Sequence, residues 1–165
     1  MRSALKWAGG KKKVINDIAN LLPTKGKKRL VEPFVGGGSV FLNFEFEEYL
    51  LVDMNKDLIN LFNIIKNQPA EFIVDAQEFF NGENNHPEKY YELRRQFNLS
   101  SDPYERSLLF LYLNRHGYNG LCRYNKSGGY NVPFGRYKHP YFPQKELEYF
   151  SEQSQKATLM QGDFE

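Results

Sequence analysis

The sequence predicts an α/β fold: the opening of a doubly wound parallel sheet, interrupted by a mostly helical insertion and resumed near residue 157. Three observations carry this expectation. Residues 29–34, a glycine triplet at 36–38, the apolar stretch 39–46 and the continuous apolar run "YLLVD" at 49–53 spell strand, glycine turn, helix, strand. Strand signals then vanish after Lys66 for roughly ninety residues while helical ones recur. A strand pattern returns at 157–160, behind a helical one at 145–154.

Taken in order, Val14, Ile15, Ile18, Leu21 and Leu22 recur at helical spacing, and Pro23 stops the run. Lys11, Lys12 and Lys13 stand at the start of this helix and oppose its dipole. They are either solvated or face an anion, and the sequence leaves both open. The run at 49–53 lacks polar alternation, as a strand covered on both faces does. Asn55 is positioned to cap a helix carrying Leu58, Ile59, Phe62 and Ile65. Helical patterns follow at 71–80, 90–97 and 104–114, the last signalled by Ser101, Asp102 and Pro103. Residues 115–143, dense in Gly, Asn, Tyr and Pro, read as a long loop.

Composition narrows the function classes. A chain of 165 residues with 41% apolar and 25% charged residues is ordinary for a globular domain. The single cysteine, Cys122, excludes an internal disulfide framework and fits a reducing cytoplasm. No apolar run is long enough for a membrane helix, and there is no apolar core of a signal peptide. The net charge of +2 is unremarkable, but its distribution is not. From Arg106 to Lys145 there is no Asp or Glu, whereas Arg106, Arg115, Arg123, Lys126, Arg136, Lys138 and Lys145 are all basic. Such a local field suits a polyanion. The plainer alternative is a solvated loop surface.

The glycine loop fails two phosphate-binding patterns. Gly36 and Gly38 match the first glycines of G-x-G-x-x-G, but the third position is Phe41, and no Gly-Lys-Ser/Thr follows. Asp53 ends the second strand, 17 residues after Gly36, where a carboxylate can accept from two ribose hydroxyls. Adenosine without phosphates therefore fits better. S-adenosylmethionine, whose tail is cationic, would tolerate Glu32 nearby and needs no anion hole. A tight turn followed by a surface acid is the plainer alternative.

Four stretches extend this reading: "LKWAGGK" (5–11), "VEPFVGGGSVFLN" (31–43), "LVDMNKDLINLFNIIK" (51–66) and "LFLYLNRHGYNGLCRYNKSGGYNVPFGRYKHPYFP" (109–143). Together they closely resemble the Dam-type DNA adenine-N6 methyltransferases along essentially the whole chain. The resemblance implies a Rossmann-like, S-adenosylmethionine-dependent methyltransferase sheet, incomplete in this chain, with a helical DNA-recognition insertion. Residues 1–66 would open the donor-binding domain, 67–142 form the target-recognition insertion, and 143–165 return to the first domain with the third strand, truncated. By resemblance, donor-binding roles fall on Trp7, Lys11, Phe34, Gly36, Gly38, Asp53 and Asp163. DNA-contacting roles fall on Lys6, Tyr118, Asn119, Leu121, Arg123, Pro133, Arg136 and Tyr137. The implied partners are double-stranded DNA, at GATC, and S-adenosylmethionine, with no metal and no membrane. The implied protein is monomeric and cytoplasmic.

One expected element is missing. The family's Asp-Pro-Pro-Tyr, whose carboxylate and carbonyl receive the adenine amine while the ring stacks on the flipped base, does not occur in the sequence. The only Asp-Pro is Asp102-Pro103, in the insertion. No catalytic residue is therefore assigned, and the chain is a fragment or a natural truncation. The 165 residues alone are expected to be inactive. The rival reading is a DNA-binding or regulatory relative that has lost methyl transfer. A nicotinamide-dependent oxidoreductase is disfavoured by Phe41 and by the acid-free basic insertion.

Overall fold

The structure, a computed structural model, describes residues 1–23, 26 and 28–163, with the side chains of Lys12 and Lys13 outside the described set. The expectation that those two lysines are solvated or face an anion therefore lies outside the described residues.

Three strands, β1 (Arg29–Glu32), β2 (Glu48–Asp53) and β3 (Ala157–Gln161), pair in parallel in the order β1-β2-β3. Leu30 lies opposite Tyr49, and Leu50 opposite Thr158. Tyr49 and Leu51 are buried on one face of β2, while Leu50 on the other is only half-buried. The expected covering of both faces is thus incomplete. On the edge strand β1, Val31 is 53% exposed.

β1 ends two residues earlier than expected. Pro33 has no N–H to donate, and the ladder resumes only at Val35, whose N–H donates to Val52 O at 2.9 Å. The helix expected over 39–46 is also wrong: the structure holds a single 3-10 turn, Phe41–Asn43. The reason is tertiary. Tyr49 on β2 donates its hydroxyl to Phe44 O (3.1 Å) and accepts from Phe46 N (2.8 Å), which holds the chain extended beyond Asn43.

The first helix, α1 (Ile15–Leu21), follows a 3-10 turn at Lys11–Val14 and buries none of its residues; Leu21 is 84% exposed. α2 (Lys56–Asn67) begins as expected, with Asn55 Oδ1 accepting from Leu58 N at 3.1 Å. It buries Leu58, Ile59, Leu61, Phe62 and Ile65. Between α2 and the last helix stand α3 (Pro69–Gln77), α4 (Pro87–Leu99) and α5 (Pro103–His116). Asp102 caps α5, accepting from Tyr104 N at 2.9 Å. α6 (Gln144–Ser154) leads back to β3.

One apolar core joins these parts. Phe62 of α2 stacks on Phe150 of α6 with centroids 4.4 Å apart, and Phe41 meets the edges of Tyr49 and Phe150. Leu109 to His116 of α5 are buried all round, because α2, α3 and α4 pack about that helix.

Candidate functional site

The close approach permitted by the glycines is first of all to the chain's own Trp7. At Gly36, with φ +48°, a Cβ would stand 2.8 Å from Trp7 Nε1. At Gly37 it would stand 3.0 Å from Ser3 Oγ and 3.1 Å from Trp7 Cβ. The indole thus forms a wall on bare backbone. Gly38, at φ +76°, makes the turn itself, its N–H donating to Val35 O at 2.8 Å.

Asp53 at the end of β2 organises this loop. Its Oδ2 accepts from Gly36 N and its Oδ1 from Asn55 N, both at 2.9 Å. Lys11 reaches over from the N-terminal segment and donates to Phe34 O at 3.1 Å. Trp7, Lys11, Phe34, Gly36 and Asp53 consequently line one cavity of about 200 Å³. These are five of the seven donor-site residues expected from the sequence. Gly38 shapes the turn beneath. Asp163 is exposed just beyond β3, after Gly162, whose N–H donates to Asp53 O at 3.1 Å.

Under the loop lies Glu32, 6% exposed. Its Oε2 accepts from Phe41 N at 2.9 Å, and Lys11 Nζ stands 3.9 Å from Oε1. Burial nevertheless pushes this carboxyl up to about 7, outweighing the Lys11 charge and the Phe41 N–H.

Residues 115–143 are more ordered than a loop. Antiparallel bridges at Gly117–Phe134 and Tyr124–Tyr130 make an irregular hairpin. Asn125 closes its tip, accepting from Ser127 N and Gly129 N. At its base the structure gathers Lys6, Asn119 and Tyr137. The Lys6 ammonium lies 3.6 Å from the centre of the Tyr137 ring, and Asn119 N donates to Tyr137 Oη at 3.0 Å. Gly120, at φ +61°, lets Lys6 pack directly on its backbone. Tyr118, 50% exposed, donates its N–H to the carbonyl of the exposed Pro133. Leu121 is half-buried against the core, with its carbonyl accepting from Tyr130 Oη.

Arg123 stands apart on the outer arm. It is exposed but braced, donating to Asn131 Oδ1 at 2.7 Å and to Asn131 O at 3.2 Å. Arg136 is exposed with a left-handed backbone, φ +55°.

Two cations of the acid-free stretch are not part of a solvated basic field. Arg106 pairs with the buried Asp57, Nε to Oδ1 at 2.9 Å and Nη2 to Oδ2 at 3.0 Å. Tyr124 donates to the same carboxylate at 2.7 Å. Arg115 is 8% exposed and donates to Tyr141 O at 2.9 Å. With Arg2 and Lys6 it lines a second cavity of about 480 Å³, which adjoins the first through Trp7, Gly10 and Ser39. Burial and the neighbouring Arg115 lower the pKa of Lys6. Sequence reading missed the Asp57–Arg106–Tyr124 cluster, since no local signal pairs residues 49 and 67 positions apart.

Comparison with known proteins places the chain in a family. A family model described as D12 class N6 adenine-specific DNA methyltransferase matches residues 7–165. The chain is 57% identical over 159 residues to a DNA adenine methylase of Vibrio cholerae serotype O1, covering 96% of this chain and 57% of that protein. It is 55% identical over 159 residues to a DNA adenine methylase of Serratia marcescens, covering 96% and 58%. For a DNA adenine methylase of Escherichia coli (strain K12) the identity is 58% over 156 residues, covering 94% and 55%. The chain thus spans little more than half the length of the relatives it matches.

Proposed function

Because the chain belongs to the D12 class N6 adenine-specific DNA methyltransferase family, we propose that its 165 residues hold the methyl-donor pocket and the DNA-reading face of an enzyme methylating adenine N6 at GATC, with S-adenosylmethionine as donor. The observation that carries this reading is the convergence of Trp7, Lys11, Phe34, Gly36 and Asp53 on one cavity, joined through Trp7 to a basic one.

The residues fit such a donor. Each Asp53 oxygen accepts one backbone N–H and keeps acceptor capacity for a ribose hydroxyl. The glycine backbone and the Trp7 indole form flat walls for a purine. Lys11 supplies one cation, which suits a single carboxylate better than a pyrophosphate. When bound, the donor supplies an electrophilic methyl group. The protein's own part is to orient it and to present DNA beside it.

On the DNA side, Tyr118 and Pro133 offer exposed apolar surface at the hairpin base, and Lys6 and Asn119 are held by Tyr137. Arg123, braced by Asn131, keeps a guanidinium edge for a guanine, and Arg136 has the exposure of a phosphate contact. Residues 67–142 act in this reading as the target-recognition insertion. The protein works on chromosomal or phage DNA in the cytoplasm, as a monomer.

Asp53→Ala tests the donor site. Removing the ribose acceptor should weaken S-adenosylmethionine binding by roughly ten- to a hundredfold, the worth of one or two hydrogen bonds to a charged group. Isothermal calorimetry reads this directly, and an unchanged affinity would reject Asp53 as the ribose partner.

The only Asp-Pro-Tyr of the chain is spent on architecture: Asp102 caps α5, and the Tyr104 hydroxyl donates to Asp75 at 2.7 Å.

A further inference from the structure

Among the described residues, the buried side-chain atoms without a hydrogen-bond partner are Glu32 Oε1, Asn85 Oδ1 and His116 Nε2. Folded proteins leave few such groups, and each calls for a physical explanation. Glu32 belongs to the glycine loop already described. Asn85 and His116 both line a separate cavity of about 170 Å³, together with Phe80, Lys138, His139 and Pro140.

The chemistry of the two orphaned atoms is well defined. His116, the last residue of α5, is 1% exposed, with Nδ1 2.9 Å from Tyr112 O. A carbonyl only accepts, so Nδ1 carries the proton, and Nε2 of the neutral ring is an acceptor. Burial favours that neutral ring, pushing its pKa down to about 4. Asn85 donates its amide to Tyr137 O at 2.8 Å and to Lys138 O at 3.2 Å, which orients Oδ1 as a second acceptor. Two acceptors cannot satisfy each other. An anion would add only acceptors, and the positively charged Lys138 among the lining residues disfavours a cation. What remains is a small neutral molecule that donates twice. The volume suits one or a few waters, each of which takes roughly 30 Å³ in the liquid.

We propose that this cavity is a hydration site, in which a water donating to His116 Nε2 and Asn85 Oδ1 ties the end of α5 to the 137–140 turn and thereby positions Tyr137. The consequence for DNA rests on the function proposed above. Tyr137 carries the Lys6 ammonium on its ring and accepts from Asn119 N, so a shift of its backbone moves three residues of the DNA face together. Asn85 and His116 are then positioning residues, touching neither donor nor DNA.

Two measurements on the 165-residue chain test this. In a ¹⁵N-labelled sample, the His116 ring should show the Nδ1–H tautomer and cross-relaxation with a long-lived water. An Nε2–H tautomer, or a ring without water contact, would overturn the site. Movement of the His116 signals on adding one equivalent of Zn²⁺ would do so as well, by assigning the cavity to a metal. The second measurement uses His116→Phe, which keeps a ring between Tyr112 and Phe80 but removes both the Nε2 acceptor and the Nδ1–H that donates to Tyr112 O. Binding to a GATC duplex should weaken by about three- to tenfold, the worth of one buried hydrogen bond. Tyr137→Phe should add little in that background, whereas additive losses would refute the positioning role. If the unmodified chain bound no DNA at all, the proposed DNA function would fail, and the water contact would still decide the hydration site.

Discussion

Gly36 is where a residue's identity is most tightly constrained. Its φ of +48° and the 2.8 Å approach to Trp7 Nε1 exclude a side chain on two independent grounds. Gly36→Ala should destabilise the fold by about 1–3 kcal/mol through backbone strain and displacement of the indole. Urea denaturation followed by Trp7 fluorescence, the only tryptophan, would read both effects, and an unshifted midpoint would contradict them. Glu32 makes a prediction of opposite sign. Its carboxyl is pushed up to about 7 by burial, so the folded chain holds this proton more tightly than the unfolded one. Such a group's stabilising contribution is complete below its unfolded pKa near 4.5 and is lost as pH rises through 7. Glu32→Gln, whose amide oxygen can still accept from Phe41 N, removes that loss. The variant's stability relative to the parent should rise from near zero at pH 4 to about 2–3 kcal/mol at pH 8. Taking the difference cancels His116, whose pKa of about 4 makes stability rise with pH between 4 and 6.5. A difference independent of pH would show that the Lys11 charge, 3.9 Å away, compensates the burial after all.

At the level of elements, the hairpin 117–134 owes its position to α2 and α5. Tyr124 and Arg106 meet on Asp57 in the first turn of α2, and Asn55 donates to Cys122 Sγ at 3.3 Å. The Arg106 guanidinium also donates to Phe97 O and Ser100 O and lies 4.1 Å above the Phe97 ring, so it is fixed without Asp57. Losing the carboxylate would strand a buried charge, and Asp57→Ala should cost about 3–5 kcal/mol. Tyr124→Phe removes only one bond to the carboxylate and should cost about 1–2 kcal/mol. The two effects separate in hydrogen exchange. Tyr124→Phe should speed exchange at Tyr130 N and Asn131 N, leaving the α2 amides protected, whereas Asp57→Ala should expose both. Equal protection in Tyr124→Phe and the parent would mean that the hairpin stands without this anchor.

At the scale of the whole chain, two cavities meet. The cavity walled by Trp7 and the glycine loop shares Trp7, Gly10 and Ser39 with the basic cavity, so the N-terminal segment and the glycine loop together border both. The sequence holds no Asp-Pro-Pro-Tyr, and extruding the base costs a few kcal/mol that a stacking aromatic would offset. The 165 residues are therefore expected to bind donor and DNA without transferring methyl. Incubation with labelled S-adenosylmethionine and a GATC duplex, beside a full-length relative, measures this. Robust turnover would require a carboxylate of this chain in the catalytic role, and Asp163 would be the first to substitute.

Local chemistry made much of the molecule legible in advance. Strand β2, the Asn55 and Asp102 caps, helices α2 to α6 and the return at β3 all follow from periodicity, capping residues and proline positions, which act within a few residues. The glycine triplet and Asp53 were legible as a pair because a strand's end places its last residue beside the neighbouring turn. Long-range contacts decided the rest. Tyr49 turned an expected helix into one 3-10 turn, because a hydroxyl from β2 captured Phe44 O and Phe46 N. Asp57 withdrew Arg106 from the basic surface, and Trp7, 29 positions before Gly36, took up the space that the glycines leave open. Each of these depends on two distant segments being brought together by burial of a common core, and pairing of that kind leaves no periodic trace in the order of residues.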